Sequence, residues 1–173
     1  ILITHAHEDH FGAVPFLLPE LDVPLWGTDL TMSLLGGKLQ EFPELDARLE
    51  KWKDGQRIGF GDLTVTPVAV THSVPDAVAL CFETPAGIVV HTGDFKLDED
   101  PIDGRKTDVD RLRAFGDRGV TLLLSDSTNS ERPGHTHGER EVSDTLTEII
   151  TNAPLRILVT TFASNVHRVQ SII

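Results

Sequence analysis

Apolar, β-branched runs that stop abruptly at histidine or aspartate recur along this 173-residue chain, and that recurrence limits its fold more than any other feature. Ile1–Thr4 runs into His5-Ala6-His7-Glu8-Asp9-His10, and the strand-like pattern of Ile58, Leu63, Val65, Val68 and Val70 runs into Thr71-His72-Ser73. Ile88–Thr92 ends at Gly93-Asp94, and Val120–Leu124 ends at Ser125-Asp126-Ser127-Thr128-Asn129. Such segments read as buried strands, each handing a polar side chain to the loop that follows. A fold that uses them together brings those strand ends to one place.

The remaining punctuation supplies the other elements. Pro85-Ala86-Gly87 between Ala77–Thr84 and Ile88–Thr92 is a hairpin signature. Phe11–Leu18 reads as a short helix broken by Pro15 or closed at Pro19, and Asp29 reads as the N-cap of a helix over Leu30–Leu35 that stops at Gly36-Gly37. Helices are also expected over Leu45–Trp52, Asp108–Phe115 and Glu139–Ile150, and Arg156–Thr161 is expected to be a strand entering a helix near Ser164-Asn165. Hairpin-rich strands give way to strand-helix-strand-helix order near residue 125, which predicts an α/β chain with a domain boundary there.

Composition narrows the class. Hydrophobic residues at 39% and charged residues at 24% suit a globular protein, and no apolar run approaches the roughly 20 residues of a membrane span. No membrane partner is expected. The lone cysteine, Cys81, rules out an internal disulfide and points to a reducing compartment, the cytoplasm. Ile1 at the start and Val166–Ile173 at the end read as truncated ends.

His5, His7, Asp9 and His10 put four potential ligands in six positions, a density that metal binding satisfies together and separate hydrogen bonds do not. In extended backbone, residues two apart point the same way, so His5 and His7 can share one ion while Asp9 and His10 face a second. His72 offers a third imidazole and Asp94 a carboxylate able to bridge. Imidazole with carboxylate favours two zinc ions, with manganese the competitor. His135 and His137 repeat the alternate spacing without neighbouring acids; they read, with His91 and His167, as structural or surface residues.

In this order and spacing, these motifs resemble the successive metal motifs of the metallo-β-lactamase superfamily. The resemblance implies an αββα sandwich over residues 1–124, incomplete and lacking N-terminal strands, with two ions at one edge of its sheets. Gly93-Asp94-Phe95-Lys96, Leu124 to Asn129, Glu131-Arg132-Pro133-Gly134 and Thr160-Thr161-Phe162-Ala163-Ser164-Asn165 are similar to the β-CASP nucleases, and within them to the ribonuclease J family. Residues 125–173 would then begin a truncated α/β β-CASP domain with parallel strands.

What the resemblance implies is a ribonuclease that hydrolyses RNA phosphodiester bonds, as a 5′-to-3′ exonuclease, an endonuclease or both, in RNA maturation and decay. Asp9, Asp94 and Asp126 are its expected catalytic carboxylates, with Asp126 orienting a general-acid histidine. That histidine and a final metal-ligand histidine are expected beyond residue 173. Two divalent ions make hydroxide available near neutral pH and stabilise the charge that builds on phosphorus. They also offset, locally, a net charge of −12 that is awkward for an RNA-binding surface.

Lys96, Arg132 and Arg168 are candidate phosphate contacts, and Ser164-Asn165, at a strand-to-helix turn, could hold the phosphate of an RNA bearing a 5′-monophosphate. A homodimer or higher oligomer and RNA-decay partners are family expectations. The rival readings are a small-molecule metallohydrolase of the thioesterase or lactonase type, a DNA-cutting β-CASP nuclease, and a catalytically silent RNA-binding module.

Overall fold

The computed structural model describes residues 1–173. Its elements in chain order are α1 (Glu8–Phe11), α2 (Val14–Leu17) with a 3-10 turn over Leu18–Glu20, β1 (Leu25–Gly27), α3 (Asp29–Leu39) and β2 (Leu49–Lys51). Then follow β3 (Ile58–Phe60), β4 (Leu63–Ala69), β5 (Val78–Thr84), β6 (Gly87–His91), α4 (Val109–Asp117), β7 (Val120–Leu124), α5 (Glu139–Asn152) and α6 (Val166–Ile172). One sheet has the order β3-β4-β5-β6-β7; β1 and β2 form a second, parallel pair. The result is the mixed α/β architecture expected from the sequence.

The larger sheet is buried on both faces at its centre. Val78 and Leu80 of β5 pack with Trp52, Ile58 and Val65, with Trp26 and Phe60 alongside. Ala79 and Cys81, pointing the other way, pack with Val68, Val90 and Phe115 of α4. This two-sided burial is why β5 reads as a continuous apolar run, not an alternating one. A third cluster joins Ile3, Ala6 and Phe11 to Leu25, Met32 and Leu35, fastening the amino-terminal segment to α3. Each fully buried Leu or Val contributes roughly 1.5–3 kcal/mol, so these clusters fix the elements that precede the polar loops.

Several local expectations are corrected by hydrogen-bonding opportunity. Leu45–Trp52 is not a helix: Leu49–Lys51 is extended because β1 lies alongside, with Leu25 paired to Leu49 and Trp52 N–H donating to Gly27 O at 3.1 Å. Gly36 and Gly37 do not end α3, which continues to Leu39. Two interior glycines cost about 1 kcal/mol each, and burial of Met32 and Leu35 on the same helix offsets that cost. The N-cap of α3 is Thr28, one residue before the expected Asp29, and its side chain makes no cap hydrogen bond.

Ile1–Thr4 forms a parallel bridge, Leu2 to Trp26, in place of a full strand. The first helix starts at Glu8, inside the histidine cluster. Arg156–Thr161 is not a strand, because no neighbouring strand pairs with it; Leu158 is 90% exposed. The hairpin and helices α4 and α5 form where the sequence puts them, with Asp108 capping α4 by accepting from Arg111 N–H.

Candidate metal centre

Sheet topology carries the polar residues to one edge. Strands β4 and β6 both run antiparallel to β5, so they run the same way as each other, and β7 is parallel to β6. The carboxyl ends of all three therefore leave the sheet on one side, where they deliver His72, Asp94 and Asp126. The amino-terminal segment reaches that side too: Val78 N–H, at the start of β5, donates to Thr4 O at 3.0 Å, which sets His5 beside the loops.

Gly93 makes the approach of Asp94 feasible. Its φ is +58°, and a Cβ there would lie 3.0 Å from Val78 O and 3.1 Å from Thr4 Cβ, so only glycine fits without displacement. Around it, Thr92 N–H donates to Leu124 O and Asp126 N–H to Thr92 Oγ1, at 3.0 and 2.9 Å, binding the ends of β6 and β7 together.

One ligand atom from each of His5, His7, His72 and Asp94 lies within 4.8 Å of the other three. His7 Nδ1 and His72 Nε2 are 3.1 Å apart, close to the about 3.3 Å between neighbouring ligands on an ion with 2.0–2.1 Å bonds. Asp94 Oδ2 is 3.8 Å from His5 Nε2 and 4.0 Å from His72 Nε2. The same oxygen is 3.3 Å from His10 Nε2, which lies outside the four-residue group, and Asp9 Oδ2 is 3.7 Å from that nitrogen. Asp94 thus faces two sets of donors, one built on His5, His7 and His72, the other on His10 with the exposed Asp9.

The donor set fits a divalent cation. His5 is fully buried and its Nε2 has no hydrogen-bond partner. Such an orphan costs about 1–3 kcal/mol unless something fills its coordination, and a cation against the lone pair does so. Protonation states agree. Burial first, then the neighbouring His10, His72 and His7, push His5 down to about 2. Burial and His7 push His72 down to about 4, against the pull of Asp94 and Asp126. Burial also lowers His7, opposed by Asp9 and Asp94. All three are therefore neutral near pH 7, the form that binds metal.

A cleft of ≈ 930 Å³ opens beside the cluster, lined among others by His72, Asp94, Asp126, His135, His137 and Arg168. Burial works to raise the Asp126 pKa, but hydrogen bonds from Thr128 N–H and Oγ1 and from Phe95 N–H, with the charge of His72, hold it below the usual carboxylate range. Lys96 also lines the cleft, its Nζ 3.2 Å from Asp98 and 4.0 Å from Glu139. Arg168 grips Glu139 with two bonds of 2.6 and 3.0 Å. Arg132 sits in an exposed turn, and neither it nor Ser164 and Asn165 line the cleft. Asn165 is buried and caps α6 by accepting from Arg168 N–H.

Sequence reasoning missed three contributors. Thr4 and Ser73 set hydroxyls 3.0 and 3.1 Å from ring nitrogens of His5 and His7, and their only signal was adjacency to His5 and His72. Glu139, read only as the start of a helix, is buried against Arg168 and Lys96. His135 and His137 are exposed, as their sequence setting suggests, and both line the cleft.

A mixed sheet that gathers histidines and an aspartate at the carboxyl ends of its strands defines a fold with a candidate metal site. Residues 1–159 match the family model of the metallo-beta-lactamase superfamily, and the chain belongs to that superfamily, whose members bind divalent metal.

Within it, the chain is similar to Ribonuclease J of Thermus thermophilus, 46% identical over 99% of this chain and 31% of that protein. It is 42% identical to Ribonuclease J of Helicobacter pylori over 100% of this chain and 25% of the relative, and 45% identical to that of Mycobacterium tuberculosis over 100% and 31%. The chain therefore spans about a quarter to a third of these curated relatives. A crystal structure of a protein of unknown function from Enterococcus faecalis shares the fold, with TM-score 0.70 and 21% identity over 99% of this chain and 43% of that one.

Proposed function

We propose that the protein carrying this chain is a divalent-metal ribonuclease of the ribonuclease J kind, hydrolysing RNA phosphodiester bonds in RNA maturation and decay. The observation that carries the reading is the convergence of His5, His7, His72 and Asp94 within 4.8 Å at the mouth of a cleft large enough for a nucleotide. Identity of 42–46% across the chain to proteins named Ribonuclease J supplies the substrate class.

In this reading His5, His7 and His72 would hold one ion, Asp9 and His10 would serve a second, and Asp94 would be available to both. Zinc suits the imidazole-rich set and manganese is the competitor. When bound, the ions supply Lewis acidity, lowering the pKa of bound water and neutralising charge on a phosphate. The chain's own residues do the rest. Neutral imidazoles, His5 buried and His7 and His72 half-buried, present lone pairs without competing protons, and Gly93 lets Asp94 come close. Asp126, kept ionised by Thr128 and Phe95, stands on the cleft wall as an acceptor for a group that must be oriented. Arg168 lines the same cleft, its guanidinium steadied by Glu139.

The test is cleavage of 5′-monophosphorylated RNA, and of DNA of the same sequence, with zinc, manganese or chelator. Metal-dependent cleavage of RNA that disappears in His7→Ala and Asp94→Ala supports the reading. Cleavage indifferent to chelator and to both substitutions refutes it, and preference for DNA replaces the substrate.

A further inference from the structure

We infer that Thr4 and Ser73 are positioning residues that select which ring nitrogen of His5 and of His7 faces the metal cluster. The inference rests on the metal reading above. His5 Nδ1 lies 3.0 Å from Thr4 Oγ1, while its Nε2 is buried, unpartnered and turned toward Asp94. His7 has the opposite arrangement, with Nε2 3.1 Å from Ser73 Oγ and Nδ1 3.1 Å from His72 Nε2.

A neutral imidazole carries one N–H, and whichever nitrogen donates it leaves the other with a free lone pair. With the hydroxyls accepting, His5 offers Nε2 and His7 offers Nδ1, a mixed donor set. With the hydroxyls donating, each ring would turn an N–H toward the centre and repel a cation.

The backbone that carries the Thr4 hydroxyl is fixed. Thr4 is buried, its carbonyl accepts from Val78 N–H at 3.0 Å, and its side chain packs under the backbone of Gly93. Ser73 follows His72 and reaches a histidine 66 residues earlier in the chain. One loop thereby supplies a ligand and also orients a ligand from another segment, so the two segments register against each other before any ion arrives.

The experiment is zinc affinity by chelator competition on the protein carrying the chain. It compares wild type with the isosteric Thr4→Val, the hydroxyl-retaining Thr4→Ser, and the pair Ser73→Ala and Ser73→Thr. Thermal unfolding follows the fold, and visible absorption of the cobalt-loaded protein follows ligand geometry. Loss of an orienting partner is expected to weaken zinc binding roughly 10- to 100-fold in Thr4→Val and Ser73→Ala, while Thr4→Ser and Ser73→Thr stay within about threefold of wild type. The cobalt spectrum changes only in the first two. Equal affinity in Thr4→Val and Thr4→Ser, or a Ser73→Ala protein that binds as tightly as wild type, overturns the inference. Failure of the wild type itself to bind zinc overturns the metal reading beneath it.

Discussion

Removing metal should leave a protein whose stability falls steeply between pH 6.5 and pH 4. An unfolded histidine titrates near 6.5, whereas in the fold His72 is pushed down to about 4 and His5 to about 2, burial being the first cause for both. Below pH 6.5 the unfolded chain takes up protons that the folded chain refuses, so stability is complete above that value and drains away as the pH drops. Each proton refused costs about 1.4 kcal/mol per pH unit once the unfolded histidine is fully charged, and slightly less between pH 6 and 5. For His5 and His72 together that is roughly 2 kcal/mol lost across this single unit.

The carboxylates held low by hydrogen bonds, Asp98 and Asp126, lose their contribution only below their ordinary value near 3.8, so the window isolates the imidazoles. Urea unfolding with chelator present, at pH 6.0 and 5.0, measures the difference. His72→Gln should remove about half of it. A flat profile across that unit, or a slope that His72→Gln leaves untouched, refutes the buried neutral cluster.

Other substitutions probe the scaffold. Gly93→Ala places a Cβ 3.0 Å from Val78 O at a φ of +58°, so urea unfolding should show a loss of about 1–3 kcal/mol, with weakened zinc binding because Asp94 moves with it. Gly37→Ala, inside α3 with nothing within 4 Å of the added carbon, should instead stabilise by about 0.5–1 kcal/mol in the same assay. Glu139→Ala leaves Arg168 and Lys96 without their shared carboxylate and should cost about 1–2 kcal/mol after discounting the partial exposure of Arg168. Zinc at a hundredfold excess over its dissociation constant should raise stability by about 2.7 kcal/mol, and His5→Ala should abolish the gain.

What was legible in the sequence was whatever depends on short-range pattern plus an obligatory chemistry. The run Ala77–Thr84, set off by the Pro85-Ala86-Gly87 turn, reads as a hairpin strand, and the histidine density at residues 5–10 has one economical use. Illegible were outcomes decided by a distant partner. Leu49–Lys51 became a strand because β1 lay beside it, a fact no local window contains. Arg156–Thr161, richer in β-branched residues than Leu49–Lys51, stayed irregular because no strand lay beside it. The Gly36-Gly37 pair looked like a stop signal, yet α3 carries on through both. At the site, the ligand types announced themselves, while the hydroxyls that orient them did not, since serine and threonine beside histidine are common and only the fold reveals where they point.

Zinc-edge X-ray absorption on the metal-loaded protein tests the convergence of His5, His7, His72 and Asp94 most directly. With one zinc loaded per chain, the account predicts nitrogen and oxygen donors at about 2.0–2.1 Å, with the multiple-scattering signature of three imidazoles and loss of one imidazole in His72→Ala. A first shell without imidazole, or a spectrum and zinc content unchanged by His72→Ala and Asp94→Ala, would contradict it.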